Sequence, residues 1–107
     1  MDNAMEFQNV TALAEANIYF EGNVISHTIL LPDGSRKTLG VILPGQYYFG
    51  TEAPELMEIV GGHCEVVIDD SNSTDSYDAG TSFKVPGDSG FTITVSDSPC
   101  HYVCSFL

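Results

Sequence analysis

An all-β domain, built as a sandwich or a barrel, is the fold class this sequence predicts. Three observations carry it: short runs that alternate apolar and polar residues, turn signals between them, and a length of 107 residues that fits one compact core.

Residues 1–17 form an N-terminal extension, in which "TALAEA" can make a short frayed helix. From residue 18 onward the reading is strand after strand. "NVISHTILL" runs into Pro32-Asp33-Gly34, a strong turn signal, and "RKTLGVIL" follows and ends at Pro44-Gly45, which predicts a hairpin. Next come "QYYFGT", "ELMEIV" closing on Gly61-Gly62, "CEVVID", and the polar loop "DDSNSTDS", whose ordinary use is a solvated connection. The last third holds "TSFKV", a Pro86-Gly87 corner, "FTITV", a Ser96-Asp97-Ser98-Pro99 turn and "CHYVCSFL". Eight or nine strands at this spacing give a single β domain over residues 18–107.

Period-two reading assigns the faces. Leu39, Val41 and Leu43 share one face and read as a plain core wall. Arg36, Thr38, Gly40 and Ile42 share the other, which suits either solvent or a partly polar barrel lumen. Phe83 with Val85, and Phe91 with Ile93 and Val95, are the expected buried sets near the C-terminus.

Composition narrows the function classes. Asp and Glu outnumber Lys and Arg by 15 to 3, for a formal charge of −12, so a nucleic-acid backbone would be repelled. No apolar run approaches the roughly 20 residues of a membrane helix, so no membrane partner is expected. An anionic substrate must then be met by Arg36, Lys37, Lys84, a histidine or backbone N–H groups. "MDNAMEFQNVTALAEAN" has no positive region ahead of an apolar stretch, which makes a cytoplasmic location the expectation. Cys64, Cys100 and Cys104 are an odd count and read as buried small residues.

His27, His63 and His101 fall in no HxH, HxxxH or CxxC pattern that presents two metal ligands from one element. No metal site is expected, and the corner "FKVPGDSGF" carries no histidine. Nucleophile-elbow, phosphate-loop and dinucleotide-binding motifs are missing too. What remains for an enzyme is positioning: cations and hydroxyls aimed into a barrel mouth, with aromatic faces to hold a planar ring.

Two segments carry a resemblance. "GQYYFGTEAPELMEIVGG" has the pattern G-x-Y-x-F-x-T-x-x-P-E-x-M, and "YDAGTSFKVPGDSGF" has A-G-x-x-F-x-V-P-x-x-S-x-F. Together with the ending "YVCSFL", they resemble the small cupins known as pyrimidine/purine nucleoside phosphorylases, over roughly Ile18 to Leu107. The resemblance implies a cupin-type β-barrel, a jelly-roll-like double-stranded β-helix. It also implies a reaction in which a purine or pyrimidine nucleoside and phosphate give free base and α-D-ribose 1-phosphate. Ser105 stands where the family's pattern leads to an arginine, and the tryptophan expected just before Tyr77 is missing. The first seventeen residues read as extra to the resemblance.

That reaction needs a phosphate clamp, hydrogen bonds to ribose hydroxyls and a donor or water for the base, with inorganic phosphate as co-substrate and no cofactor. Arg36 is the phosphate candidate beside Thr38, its planar fork suiting two oxygens, with a surface salt bridge as the plain alternative. Glu55 can accept bonds from two ribose hydroxyls with help from Thr51, or simply be exposed. Tyr47, Phe49 and Phe91 can stack on a base or pack the core, and Met57 comes with the matched motif. A homodimer is expected by analogy. A metal-free cupin that binds a small sugar or nucleotide without turnover is the competing class, and a metal-dependent oxygenase comes third.

Overall fold

The computed structural model describes residues 5–107. It contains eleven strands: β1 (Thr11–Ala12), β2 (Asn17–Tyr19), β3 (Val24–Leu30), β4 (Arg36–Ile42), β5 (Gly45–Gly50), β6 (Glu55–Gly61), β7 (His63–Ile68), β8 (Asp75–Asp78), β9 (Ser82–Val85), β10 (Gly90–Val95) and β11 (Cys100–Phe106). The eight strands read from alternation are β3 to β7 and β9 to β11. No helix forms in "TALAEA": Thr11 and Ala12 pair with Leu30 and Ile29 on the edge strand β3, because an open ladder satisfies their backbone groups better than an isolated turn. β8 lies partly in the segment read as a polar loop, where alternation is hidden by Asp and Ser and only Tyr77 turns inward to meet Phe83, at 4.7 Å between ring centroids.

All the ladders are antiparallel, and they form two sheets. The larger runs β1-β3-β4-β11-β6-β9, with β2 also on β3, and the smaller runs β5-β10-β7-β8. No ladder joins the two among the described residues, so the domain is a pair of facing sheets rather than a barrel closed by hydrogen bonds. Val24, Ile42, Ile59, Val85 and Cys100 from the larger sheet meet Cys64, Val66, Phe91, Ile93 and Val95 from the smaller, all at most 2% exposed. All three cysteines are buried and free.

The face assignment in β4 is opposite to the core-wall reading. Ile42 is fully buried and Thr38 points between the sheets, whereas Leu39 and Val41 are only partly covered and Leu43 is 36% exposed. Alternation alone cannot distinguish an inner face that is polar because it lines a cavity from an outer face that is apolar because another segment lies over it. Here residues 5–10 supply that segment: Met5, Phe7 and Val10 line one groove with Leu39, Val41, Val60 and Val103.

The two motif segments are clipped to each other. Thr51 Oγ1 donates to the Pro86 carbonyl at 2.6 Å and accepts from the Ser89 N–H at 3.0 Å, while the Asp88 N–H donates to the Glu52 carbonyl at 3.1 Å. Asp88 holds a φ of 51° there, so the corner after β9 is set by these bonds as well as by Pro86 and Gly87. No helix among the described residues is long and apolar enough to cross a membrane.

Candidate active site

Register across β4, β11 and β6 builds the site row by row. Cys104 pairs with Thr38 on one side and Met57 on the other; Tyr102 pairs with Gly40 and Ile59. One step further along, Phe106 pairs with Glu55 and lies under Arg36, whose guanidinium carbon is 4.3 Å from the ring centroid. The inner face thus offers an Arg36–Phe106–Glu55 row at the rim, then Thr38–Cys104–Met57, then Gly40–Tyr102–Ile59.

These rows enclose a cavity of about 200 Å³. Ser26, Thr38, Tyr102, Cys104, Glu55, Met57 and Phe106 line it from the larger sheet, Phe49, Gly50 and Phe91 close it from the smaller, and Tyr19 of β2 reaches its edge. Phe49 and Phe91 are cross-strand partners whose rings stack at 5.5 Å, with 24° between planes. Gly40 is what lets the Tyr102 ring lie flat against the sheet, since a Cβ there would overlap ring and hydroxyl. Asn17 Nδ2 donates to Ser26 Oγ at 3.2 Å and to Thr28 Oγ1 at 3.1 Å, which ties β2 to the polar wall.

A tight turn after β2 brings Phe20 to the same aromatic group, 5.4 Å from Phe49 and 5.0 Å from Tyr47. Phe20 and Glu21 take φ of 53° and 56°, a left-handed backbone uncommon for bulky residues.

Arg36 brings a cation to the rim, while the titratable groups lining the cavity are shifted toward their protonated forms. Among the described residues Arg36 makes no ion pair, despite fifteen acids in the chain. Burial raises the Glu55 carboxyl above the usual carboxylate range, and a hydrogen bond with the Cys104 thiol only partly offsets that. Burial and the neighbouring Glu55 push the Cys104 thiol up to about 12, so it stays a thiol near neutral pH. Burial likewise raises the Tyr102 phenol.

Of the residues singled out from sequence, Thr38, Phe49, Glu55, Met57 and Phe91 line the cavity, and Arg36 stands at its rim on Phe106. Two are placed elsewhere. The Tyr47 hydroxyl donates to the Leu43 carbonyl at 2.9 Å and the Pro44 carbonyl at 3.1 Å, and the Thr51 hydroxyl is taken up by the corner. Lys84 points outward between buried Phe83 and Val85. Sequence reading missed Tyr19, Ser26, Tyr102, Cys104 and Phe106 as lining residues. The available signal was that Cys100, Tyr102, Cys104 and Phe106 share one face of "CHYVCSF". Among the described residues no group of three or more His, Cys, Asp or Glu is placed to hold a metal ion.

A family model described as pyrimidine/purine nucleoside phosphorylase matches residues 14–106. The chain belongs to that family. A family relative from Burkholderia orbicola, named pyrimidine/purine nucleoside phosphorylase, is 53% identical over 107 residues that cover the whole of both chains. The N-terminal residues read as extra to the resemblance are therefore matched in that relative. In three dimensions, the crystal structure of a protein of unknown function from Acinetobacter sp. ADP1 is similar with a TM-score of 0.92 and 46% identity, covering 95% of this chain and 98% of that one. Bacillus subtilis oxalate decarboxylase shares the fold at a TM-score of 0.73 with 15% identity, over 91% of this chain and 28% of its own.

Proposed function

We propose that this protein is a broad-specificity phosphorylase that cleaves purine and pyrimidine nucleosides with inorganic phosphate to give free base and α-D-ribose 1-phosphate. The observation that carries the reading is Arg36, a guanidinium with no acid partner among the described residues, set on Phe106 at the rim of an aromatic-walled cavity. A phosphate is the ligand that such an unpaired planar fork suits. Its surroundings add Thr38, one row further in.

The transition state places positive charge on the ribose and negative charge on the departing base. Neither a protein nucleophile nor a resident cofactor is required by that scheme, and we propose that the reaction runs without a metal. Hydroxyls of Ser26, Thr38 and Tyr102 line the cavity and are assigned to the sugar, and the stacked Phe49–Phe91 pair is assigned as the wall for a planar base. Such a wall reads shape rather than hydrogen-bond pattern, which suits both base classes. The cavity of about 200 Å³ is below the roughly 300–1,000 Å³ typical of drug-sized ligands, so we assign it to the sugar and the edge of the base against Phe49 and Phe91, with phosphate at the rim beside Arg36.

The same reading extends to architecture and assembly. We assign the paired sheets to the cupin-type barrel, with the sheets brought together by side chains at their seams. The groove that residues 5–10 leave open over the outer face, lined by Ile25, Leu39, Val41 and Val60, supports a homodimer that fills it. A cytoplasmic location is part of the proposal. Incubation of chelator-treated protein with uridine or inosine, with and without phosphate, tests the function. Free base only with phosphate is expected. Ligand binding without base release would favour a non-catalytic binding protein, and activity lost on chelation would overturn the metal-free reading.

A further inference from the structure

Displacement at an anomeric carbon with inversion needs the entering phosphate oxygen and the departing base nitrogen on opposite sides of the sugar. The rim row supplies one candidate group on each flank of Phe106. Arg36 and Glu55 flank Phe106 on β4 and β6, so their backbones are two strand spacings apart, about 10 Å. Inverting glycoside hydrolases hold their two carboxyl groups roughly 6.5–9.5 Å apart to leave room for the nucleophile, a gap that side chains rooted on alternate strands can span.

We propose that Glu55 is the acid that protonates the departing base, while Arg36 holds the attacking phosphate across the ribose; this rests on the phosphorylase reading above. Its alternative role, accepting bonds from two ribose hydroxyls, is served best by an ionised carboxylate, which accepts on both oxygens. The surroundings favour the protonated form. Lining the cavity with Glu55 are the Cys104 thiol and Tyr102 phenol from β11, Thr38 from β4, Tyr19 from β2, and Phe49 and Phe91 from the opposite sheet, while the Arg36 cation lies over Phe106. Its partner on β9 is Val85, and no cation pairs with it among the described residues. A neutral carboxyl also avoids repelling the phosphate dianion that Arg36 holds nearby.

The step balances without any further reagent. A lone pair on HPO₄²⁻ forms the new C1′–O bond as the C1′–N bond breaks, and its electron pair leaves with the base. The Glu55 O–H gives its proton to a base nitrogen and becomes a carboxylate. Ribose 1-phosphate, formed as the monoanion, returns its remaining proton and restores the acid.

Nicotinamide riboside separates this role from a sugar-holding one, because nicotinamide departs neutral and needs no proton. In Glu55→Gln, kcat/KM for uridine is expected to fall about 10²–10⁴-fold. The loss on nicotinamide riboside is expected to be at least tenfold smaller. Equal losses on the two substrates would overturn the proposal and make Glu55 a ribose-holding group. Unaltered protein gives a second test that needs no folded variant: as pH rises, kcat/KM for uridine declines through one ionisation that nicotinamide riboside does not show. Parallel pH profiles would overturn it. If the unaltered protein releases neither base in the presence of phosphate, the phosphorylase reading itself has failed and the acid role falls with it.

Discussion

Arg36 and Glu55 lie in one row of the larger sheet, on either side of Phe106, and no ion pair joins them. Adjacent opposite charges would have neutralised each other. Held apart by a ring, the guanidinium is open to an anion, and burial shifts the half-buried carboxyl toward its protonated form.

Arg36→Ala is expected to raise the KM for phosphate about 10–100-fold, the loss of a charge-assisted hydrogen-bonding group. The KM for uridine should change far less. Arg36→Lys keeps the charge but loses the fork and the stack on Phe106, so it should recover only part of the affinity. Steady-state kinetics with phosphate varied checks this, and an unchanged KM removes Arg36 from the site.

Gly40→Ala tests the packing beneath the cavity. The added methyl meets the Tyr102 ring and hydroxyl, so either the ring or β4 must move, at an expected cost of about 1–3 kcal/mol. Denaturant titration measures the loss. A variant as stable as its parent would contradict the placement of Tyr102.

Thr51→Val separates a structural threonine from a substrate-binding one. The Pro86 carbonyl and Ser89 N–H each lose a partner, with about 1–3 kcal/mol of stability. Thermal melting should record that loss while the KM values for nucleoside and phosphate stay near those of the parent.

Stability should carry the signature of Glu55. Its carboxyl holds a proton more tightly folded than unfolded, so the folded state binds more protons between the ordinary glutamate value and the raised one. The neutral carboxyl's stabilising contribution is full below the unfolded value and is lost as pH rises through the folded value. Glu55→Gln removes that decline. Denaturation midpoints across the window check it; the same slope in parent and variant would assign the effect to another group.

How far the sequence could be read follows from the range of each signal. Alternation and turn residues are local, so "NVISHTILL", "FTITV" and their neighbours could be read as strands directly. Phe83, Val85, Phe91, Ile93 and Val95 are buried as their period implies. Register between strands far apart in the chain is not local. That Phe106 falls between Arg36 and Glu55, or that Gly40 makes room for Tyr102, depends on β11 inserting between β4 and β6. The same limit explains Thr51: its residue type fits a sugar site, but its hydroxyl meets a corner 35 residues away. Leu39 and Val41 misled because residues 5–10 cover the outer face.

The most direct test follows phosphate rather than base. With uridine, inosine and ³¹P-detected NMR, the account predicts that inorganic phosphate is converted to ribose 1-phosphate of the α configuration, mole for mole with free base, and that Arg36→Ala slows both together. Base released with no phosphate ester formed, or a β-configured product, would contradict an in-line displacement between Arg36 and Glu55.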